Sequence, residues 1–282
     1  LGLVETENDF GTQGTAPTHP ALLDWLSSEF IRKKWSMKEL HKLIVTSATY
    51  RQSSDVRSDL AERDPRNLLL ARQNRVRLDA EIVRDAALVS SGLLDRTLGG
   101  APVFPPQPDG VYAFTQNSKS WVASKGAERY RRALYTQFYR SAQHPLTSTF
   151  DAPNFSTTCT RRLRSNTPLQ ALMLANDEAF YEMAQGAALQ LWKDESQPGE
   201  QADANRIRRA FQRFYSRNVT QTELEKCLRF LDACRHQAKP EPAQEVAPAL
   251  VFALPNQSPV ETAAWTALAR GLMNTDEFIT RE

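Results

Sequence analysis

Three short motifs constrain this chain more than any other feature. Ser36-Met37-Lys38-Glu39, Thr220-Gln221-Thr222-Glu223 and Ser258-Pro259-Val260-Glu261 each place a hydroxyl three residues before a carboxylate. That is the pattern of a capping box, in which hydroxyl and carboxylate satisfy backbone N–H groups that a first helical turn leaves free. Apolar residues follow at helical spacing: Met37, Leu40 and Ile44 after the first box, then Leu224, Leu228 and Leu231 after the second. The third box opens a last helix that runs through Met273. Other stripes share the period: Leu22, Leu23, Leu26 and Phe30 behind Pro20; Ile82, Ala86, Val89 and Leu93 within 79–93; Ile207, Ala210, Phe211 and Phe214. Thr167-Pro168 starts a long helical stretch to about Lys193, with Pro at its favoured first position and a break near Asn176-Asp177. No series of alternating strands is long enough for a large sheet. The expectation is a mainly α, multi-helix globular domain with long ordered loops and at most a short strand pair. The one ambiguous segment is Tyr130 to Arg140, where Leu134, Thr136 and Phe138 alternate like a strand while Leu134, Tyr135 and Phe138 fit a helix.

The intervening loops are long. Residues 1–18 are rich in Gly, Asn, Asp and Thr; 55–77 interleave Arg with acids around an Asp64-Pro65 turn; 101–110 carry Pro102, Pro105, Pro106 and Pro108, which stiffen an extended path. Residues 150–166 read as loop and 239–257 as a Pro-rich linker. The first two helices are joined by a short link and should pack antiparallel. The expected organisation is a main helical domain over 1–193, bearing the Pro-rich and Arg-rich loops, with C-terminal helices over 200–282 packing on that same domain. The chain opens on Leu1 without an initiator Met and reads as part of a longer polypeptide.

Composition narrows the function classes. With 282 residues and 41% hydrophobic content, there is apolar material for a large core. No apolar run approaches the roughly 18 residues that a membrane-spanning helix needs. Lys and Arg number 35 against 33 acids, and a net charge of +2 argues against a nucleic-acid partner. The three cysteines, Cys159, Cys227 and Cys234, exclude a disulfide scaffold. Cys227 and Cys234 sit seven residues apart on one predicted helix, about 10 Å along its axis, too far for a disulfide. His236 is nearby, but a zinc site needs four placed ligands, so no metal is expected. Covalent haem needs Cys-x-x-Cys-His, which is absent; a haem would belong to another module of the full-length protein. Gly-x-Ser-x-Gly, Walker and His-Glu-x-x-His motifs are absent too.

Two groups of residues could carry chemistry. Glu5, Asp9 and His19, with Asn8 and Asp24 beside them, crowd the first 24 residues, and a carboxylate with a His could act as an acid–base pair. The alternative is structural, since Asx residues bond their own backbone in turns and His19 could cap the helix behind Pro20. The second group is basic. From 129 to 164 there are seven arginines and one acid, Asp151. Arg131, Arg132, Arg140, Arg161, Arg162 and Arg164, with Tyr135, would form an anion site if they converge, because the guanidinium fork suits sulfate, phosphate and carboxylate. Tyr130 and Tyr139 could add stacking surfaces. The alternative is that these arginines pair with acids and lock the loops.

Several stretches together resemble a known family. In order they are Gly2-Leu3-Val4-Glu5-Thr6, Asn8-Asp9-Phe10-Gly11, Pro17-Thr18-His19-Pro20 and Leu22-Leu23-Asp24-Trp25-Leu26. Next come Ile44-Val45-Thr46-Ser47-Ala48-Thr49-Tyr50-Arg51, Arg77-Leu78-Asp79-Ala80-Glu81, Ser91-Gly92-Leu93-Leu94 and Gly99-Gly100. Phe150-Asp151-Ala152-Pro153-Asn154, Asn166-Thr167-Pro168-Leu169-Gln170-Ala171-Leu172 and Leu272-Met273-Asn274-Thr275-Asp276-Glu277-Phe278 complete the series. The chain is similar to domain of unknown function 1553, the planctomycete-specific C-terminal domain, over nearly its whole length. One departure is Phe155-Ser156, where the resemblance implies Arg-Glu after Asn154. The resemblance implies an exported protein of the periplasm or cell envelope, another uncharacterised domain upstream, and often a c-type cytochrome module. It implies no catalytic residues.

The leading expectation is therefore a helical partner or scaffold module of a cytochrome-associated envelope protein. It would pack against the upstream domain of the same polypeptide and dock an anionic glycan or protein partner. One alternative is a catalytic domain acting on a glycan or other envelope substrate, with Glu5, Asp9 and His19 as acid–base groups. Another is a polysaccharide-binding module using the Arg and Tyr residues. The partner reading predicts an apolar patch left uncovered where the neighbour belongs.

Overall fold

The structure, a computed structural model, describes residues 3–6, 11–60, 62–113, 119–195, 199–237 and 251–281. About half the chain is helical. The helices are α1 (Pro20–Arg32), α2 (Met37–Val45), α3 (Ala80–Ser90), α4 (Pro145–Thr149), α5 (Pro168–Asn176), α6 (Glu178–Asp194), α7 (Glu200–Tyr215), α8 (Gln221–Gln237), α9 (Pro259–Met273) and α10 (Asp276–Ile279). Among the described residues the strands are β1 (Val76–Arg77) and β2 (Thr280–Arg281), paired in one two-stranded sheet. The fold is mainly α with a short strand pair, as the capping boxes and stripes imply. The ambiguous 130–140 segment is neither strand nor α-helix. It holds a single 3₁₀ turn, Ala133–Tyr135, after another at Gly126–Tyr130, with isolated bridges from Arg131 to Asp95 and from Thr136 to Val103.

The three boxes close differently. At Thr220 both halves form: Glu223 N–H donates to the Thr220 hydroxyl, and Thr220 N–H donates to the Glu223 carboxylate at 2.8 Å. At Ser36 and Ser258 the hydroxyl accepts from the N–H of Glu39 and Glu261. The Glu261 carboxylate is drawn away by Arg235 and Trp265. Asp177 makes the anticipated break. It ends α5 and caps α6, its side chain accepting from Phe180 N–H.

The chain forms two compact units, one of Leu1–Val76 with Thr158–Arg161 and Thr280–Glu282, the other of Arg77–Thr157 with Arg162–Ile279. In the second unit, α6 is the central helix. Its Phe180, Met183, Ala184, Ala187 and Leu191 are buried against α9, α7, α5 and α3, and Trp265 of α9 is fully buried. Small residues let the neighbours come close: a Cβ on Gly186 would sit 2.8 Å from a methyl of Leu93. The helices α7, α8 and α9 pack on one another, and α7 and α9 pack on α6.

The predicted face of α3 is corrected here. Ile82 and Val89 are exposed, whereas Val83, Ala87 and Leu88 are buried together with Arg84. The core stripe is turned by one residue because it contains an arginine, and a stripe read from apolar residues alone passes over it.

In the first unit, α1 and α2 contact each other across a four-residue link, and neither contains a buried residue. Leu23, Leu26 and Phe30 of α1 and Leu40 and Leu43 of α2 are half-buried. Leu22, Met37 and Ile44, expected on the buried stripes, are exposed. A two-helix hairpin covers only the positions facing its partner helix. The charged 55–77 loop is ordered by two buried side chains. The Asp64 carboxylate accepts from the N–H groups of Leu68 and Leu69 at 2.7 and 2.8 Å. The Asn67 amide bonds Ala71, Arg72 and Asn74.

Candidate functional site: the arginine-rich loops and an uncovered hairpin

Most arginines of the 129–164 region that lie in the second unit have partners. Arg129 reaches both oxygens of the buried Glu182 at 3.1 and 2.8 Å, and its other arm lies 3.4 Å from Glu178. The Tyr130 hydroxyl donates to the same Glu182 carboxylate, and burial together with that carboxylate pushes the phenol pKa up. Arg131 is buried, its guanidinium 3.7 Å from the Tyr135 ring centroid. It donates to the carbonyls of Thr97, Gly99 and Ala101, while the Tyr135 hydroxyl accepts from Gly99 N–H at 2.9 Å. Arg132 pairs with Asp85 at 2.9 Å. Arg162 pairs with Glu81 at 2.7 Å, and Arg164 with Asp79 at 3.3 Å.

Thus four of the six candidate anion-binding arginines (131, 132, 162 and 164) are engaged by protein oxygens. Each ties the loops to the first turns of α3 or to the 97–101 loop. Charge-assisted hydrogen bonds hold these guanidinium groups in place; Arg131 is buried, whereas Arg132 and Arg164 bond through Nε and have side chains 42% and 47% exposed. Arg140 is exposed, as is Arg161 of the first unit, and neither has a carboxylate partner among the described residues.

Three further residues of this network escape a reading by sequence. Arg77 binds Asp151 at 2.6 Å and the carbonyl oxygens of Leu78, Phe150 and Ser165. Arg84 lies deep under the loop and donates to the Arg129 carbonyl at 3.0 Å; burial lowers its pKa to about 10, against the pull of Asp177, Asp85 and Glu182. His144 accepts from Leu146 N–H through Nδ1 and lies 3.0 Å from the Pro106 carbonyl through Nε2. Burial lowers its pKa to about 4. Beside it, the Pro-rich loop is closed by rings. Trp121 packs against Phe104, Tyr112, Tyr139 and His144, and its indole N–H donates to the Pro105 carbonyl at 2.7 Å. Tyr139 thus packs edge-on against Tyr112 and Trp121, while Tyr135 stacks on Arg131; both rings are half-buried.

The C-terminal helices carry a second buried ion network. Arg206 of α7 is fully buried, stacks 3.8 Å from the Trp192 ring centroid and pairs with Asp203 at 2.7 Å. Arg235 joins Asp203 and Glu261, linking α7, α8 and α9. A shallow open depression nearby is lined by Asp194, Arg209, Gln212 and Arg213.

The candidate acid–base group belongs to the first unit. Thr18 N–H donates to the Leu3 carbonyl and Thr15 N–H to the Thr6 hydroxyl, so the segment holding Glu5 runs beside the one leading to His19. Glu5 is exposed. His19 sits at the N-cap of α1, its ring 3.0 Å from the Thr18 hydroxyl. Asp9 lies outside the described residues. Among the described residues, no three His, Cys, Asp or Glu side chains gather as a metal site, and no helix is long and apolar enough to cross a membrane.

What stands uncovered is the α1–α2 hairpin. Leu22 and Trp25 are exposed on one side of the half-buried α1 stripe, and Ile44 and Val45 are exposed at the adjoining end of α2. At its turn Ile31, Trp35 and Met37 are 59%, 66% and 54% exposed. Contiguous apolar side chains left in water mark interaction sites in folded proteins.

Neither a curated protein nor a solved structure matches this chain. The family profile described as PSD1, protein of unknown function (DUF1553), matches residues 1–231. With most of its length matched, including the hairpin, the arginine-tied loops and the central helix, the chain belongs to the DUF1553 family.

Proposed function

We propose that this chain is a partner module, docking through one flank of its α1–α2 hairpin onto an adjoining protein domain of the same polypeptide. The observation that carries the reading is the exposed apolar surface of Leu22, Trp25, Ile44 and Val45 on helices whose apolar side chains are at most half-buried. Fully burying an exposed apolar side chain contributes roughly 1.5–3 kcal/mol; these four are 36–49% exposed, so covering what remains contributes about half of that each, still a drive to find a cover. The family resemblance supplies the setting: an exported, cytochrome-associated envelope protein, with any haem held outside this chain. The arginine-rich loops then serve as scaffold, since Arg131, Arg132, Arg162 and Arg164 hold carboxylates and carbonyls of neighbouring segments. Arg140 and Arg161 are the arginines left for an anionic ligand. The catalytic alternative draws on Glu5, which is exposed, and His19, which is half-buried at the N-cap of α1.

The reading is tested in the full-length polypeptide with the pair of substitutions Leu22→Ser and Ile44→Ser. The variant should expose the hairpin to limited proteolysis at least tenfold faster than the parent. Equal cleavage rates with equal overall helicity would sink the docking role.

A further inference from the structure

The turn of the hairpin differs from its flank. α1 ends with Trp35 N–H donating to the Phe30 carbonyl and Lys34 N–H to the Ile31 carbonyl, both at 2.9 Å. This is a Schellman-type end, whose left-handed position usually holds Gly. Here Lys34 occupies it at φ 53° and Trp35 follows at φ 61°. Side-chain-bearing residues avoid that region, and strain of this kind persists where the neighbouring structure or a function requires it. Its result is display: Trp35 rests one edge on Phe30, 5.1 Å between ring centroids, and shows the rest to solvent beside Ile31 and Met37.

The charges around this tip have one dominant sign. Arg32, Lys33, Lys34, Lys38 and Lys42 face two acids, Glu29 and Glu39. Arg32 pairs with Glu29 at 2.6 Å and Lys33 reaches Glu39 at 3.5 Å. Lys34, Lys38 and Lys42 are exposed and have no carboxylate partner among the described residues. An exposed Trp with Ile and Met, ringed by unpaired lysines, combines an apolar wedge with a basic collar. Trp favours the headgroup level of a bilayer, Lys stems lie along apolar surface with the ammonium in water, and anionic lipids attract the collar. A protein partner would need an acidic rim fitted around a socket for Trp35. A lipid surface supplies diffuse negative charge over an apolar layer with no such fit.

We propose that the α1–α2 turn is a peripheral membrane-binding element that inserts Trp35, Ile31 and Met37 into an anionic phospholipid surface. This goes beyond the docking role above and uses the other end of the hairpin, about 13 Å along α1 from Leu22.

The test is co-sedimentation of the purified chain with vesicles of phosphatidylcholine alone and with 30% phosphatidylglycerol. The chain should bind the anionic vesicles, more weakly as salt rises, and bind the neutral ones at least tenfold less. Trp35→Ala should reduce anionic binding at least tenfold. Lys34→Glu with Lys38→Glu, which leaves the apolar tip intact, should do the same. The flank variant Leu22→Ser/Ile44→Ser should bind vesicles like the parent, which separates this element from the docking flank. Absence of binding to anionic vesicles, or binding that survives both tip variants, overturns the proposal. So does a tip that binds the adjoining protein domain through Trp35 and not the vesicles.

Discussion

His144 sets an acid limit on the second unit. Its ring is buried at the start of α4, between the Leu146 N–H at 3.3 Å and the Pro106 carbonyl at 3.0 Å. One tautomer satisfies both: Nε2–H donates to the carbonyl and bare Nδ1 accepts from the amide. Protonation would set a second N–H against the Leu146 N–H and leave a cation buried near Arg84. Burial first, and Arg84 after it, hold the pKa at about 4 instead of 6.5, although the Pro106 carbonyl pulls the other way. The sign follows from linkage. A depressed folded-state pKa gives stability that is complete above pH 6.5 and lost as the pH falls through 4. The difference between 6.5 and about 4 corresponds to about 3 kcal/mol. For a domain of this size that is roughly 6–12 °C in melting temperature. Buried Asp177, whose pKa is raised chiefly by burial, works with the opposite sign, so the comparison must be made against a variant. His144→Asn keeps a side-chain acceptor for the helix start and cannot titrate. Urea unfolding of parent and variant should be followed from pH 7.5 to 4. The variant should be less stable at neutral pH and lose less on acidification, so that the two curves converge. Parallel acid arms would refute the role assigned to the ring.

Other outcomes follow from the same packing. Glu182→Ala removes the carboxylate shared by Arg129 and Tyr130 and takes away one of the three carboxylates, with Asp177 and Asp85, that offset the buried charge of Arg84; unfolding should be easier by about 3–5 kcal/mol, and a loss below about 1 kcal/mol would show the cluster to be solvated. Gly186→Val adds bulk where even a Cβ meets Leu93 and should cost about 1–3 kcal/mol in thermal denaturation by overpacking. The exposed Cys159 should react with a thiol reagent in the native state well before Cys227 and Cys234, whose pKa values burial raises; equal rates for all three would contradict the packing of α8.

Helix starts were legible from sequence because capping chemistry is local. Ser36, Thr220, Ser258 and the Asp177 break each act within three residues of themselves. The face of α3 was not, because Arg84 stands in its buried stripe and an apolar count skips it. The fate of the arginines was equally hidden. Arg129 finds Glu182, and Arg77 finds Asp151, across 53 and 74 residues of chain, and composition alone left pairing and ligand binding open. The uncovered hairpin could have been suspected from Trp25 and Trp35, which fall off the apolar stripes of α1 and α2 yet are too large for an ordinary solvent face. What no local pattern reveals is the strained turn, since Lys34 and Trp35 carry none of the usual signals of a left-handed backbone.

The central claim is that an adjoining domain covers the α1–α2 flank. Amide hydrogen exchange measures this directly when the 282-residue chain is compared with the full-length polypeptide. The account predicts that segments 21–32 and 37–45 exchange at least tenfold more slowly in the longer protein, while α6 and α9 are unchanged. Equal exchange of the hairpin in both would contradict it.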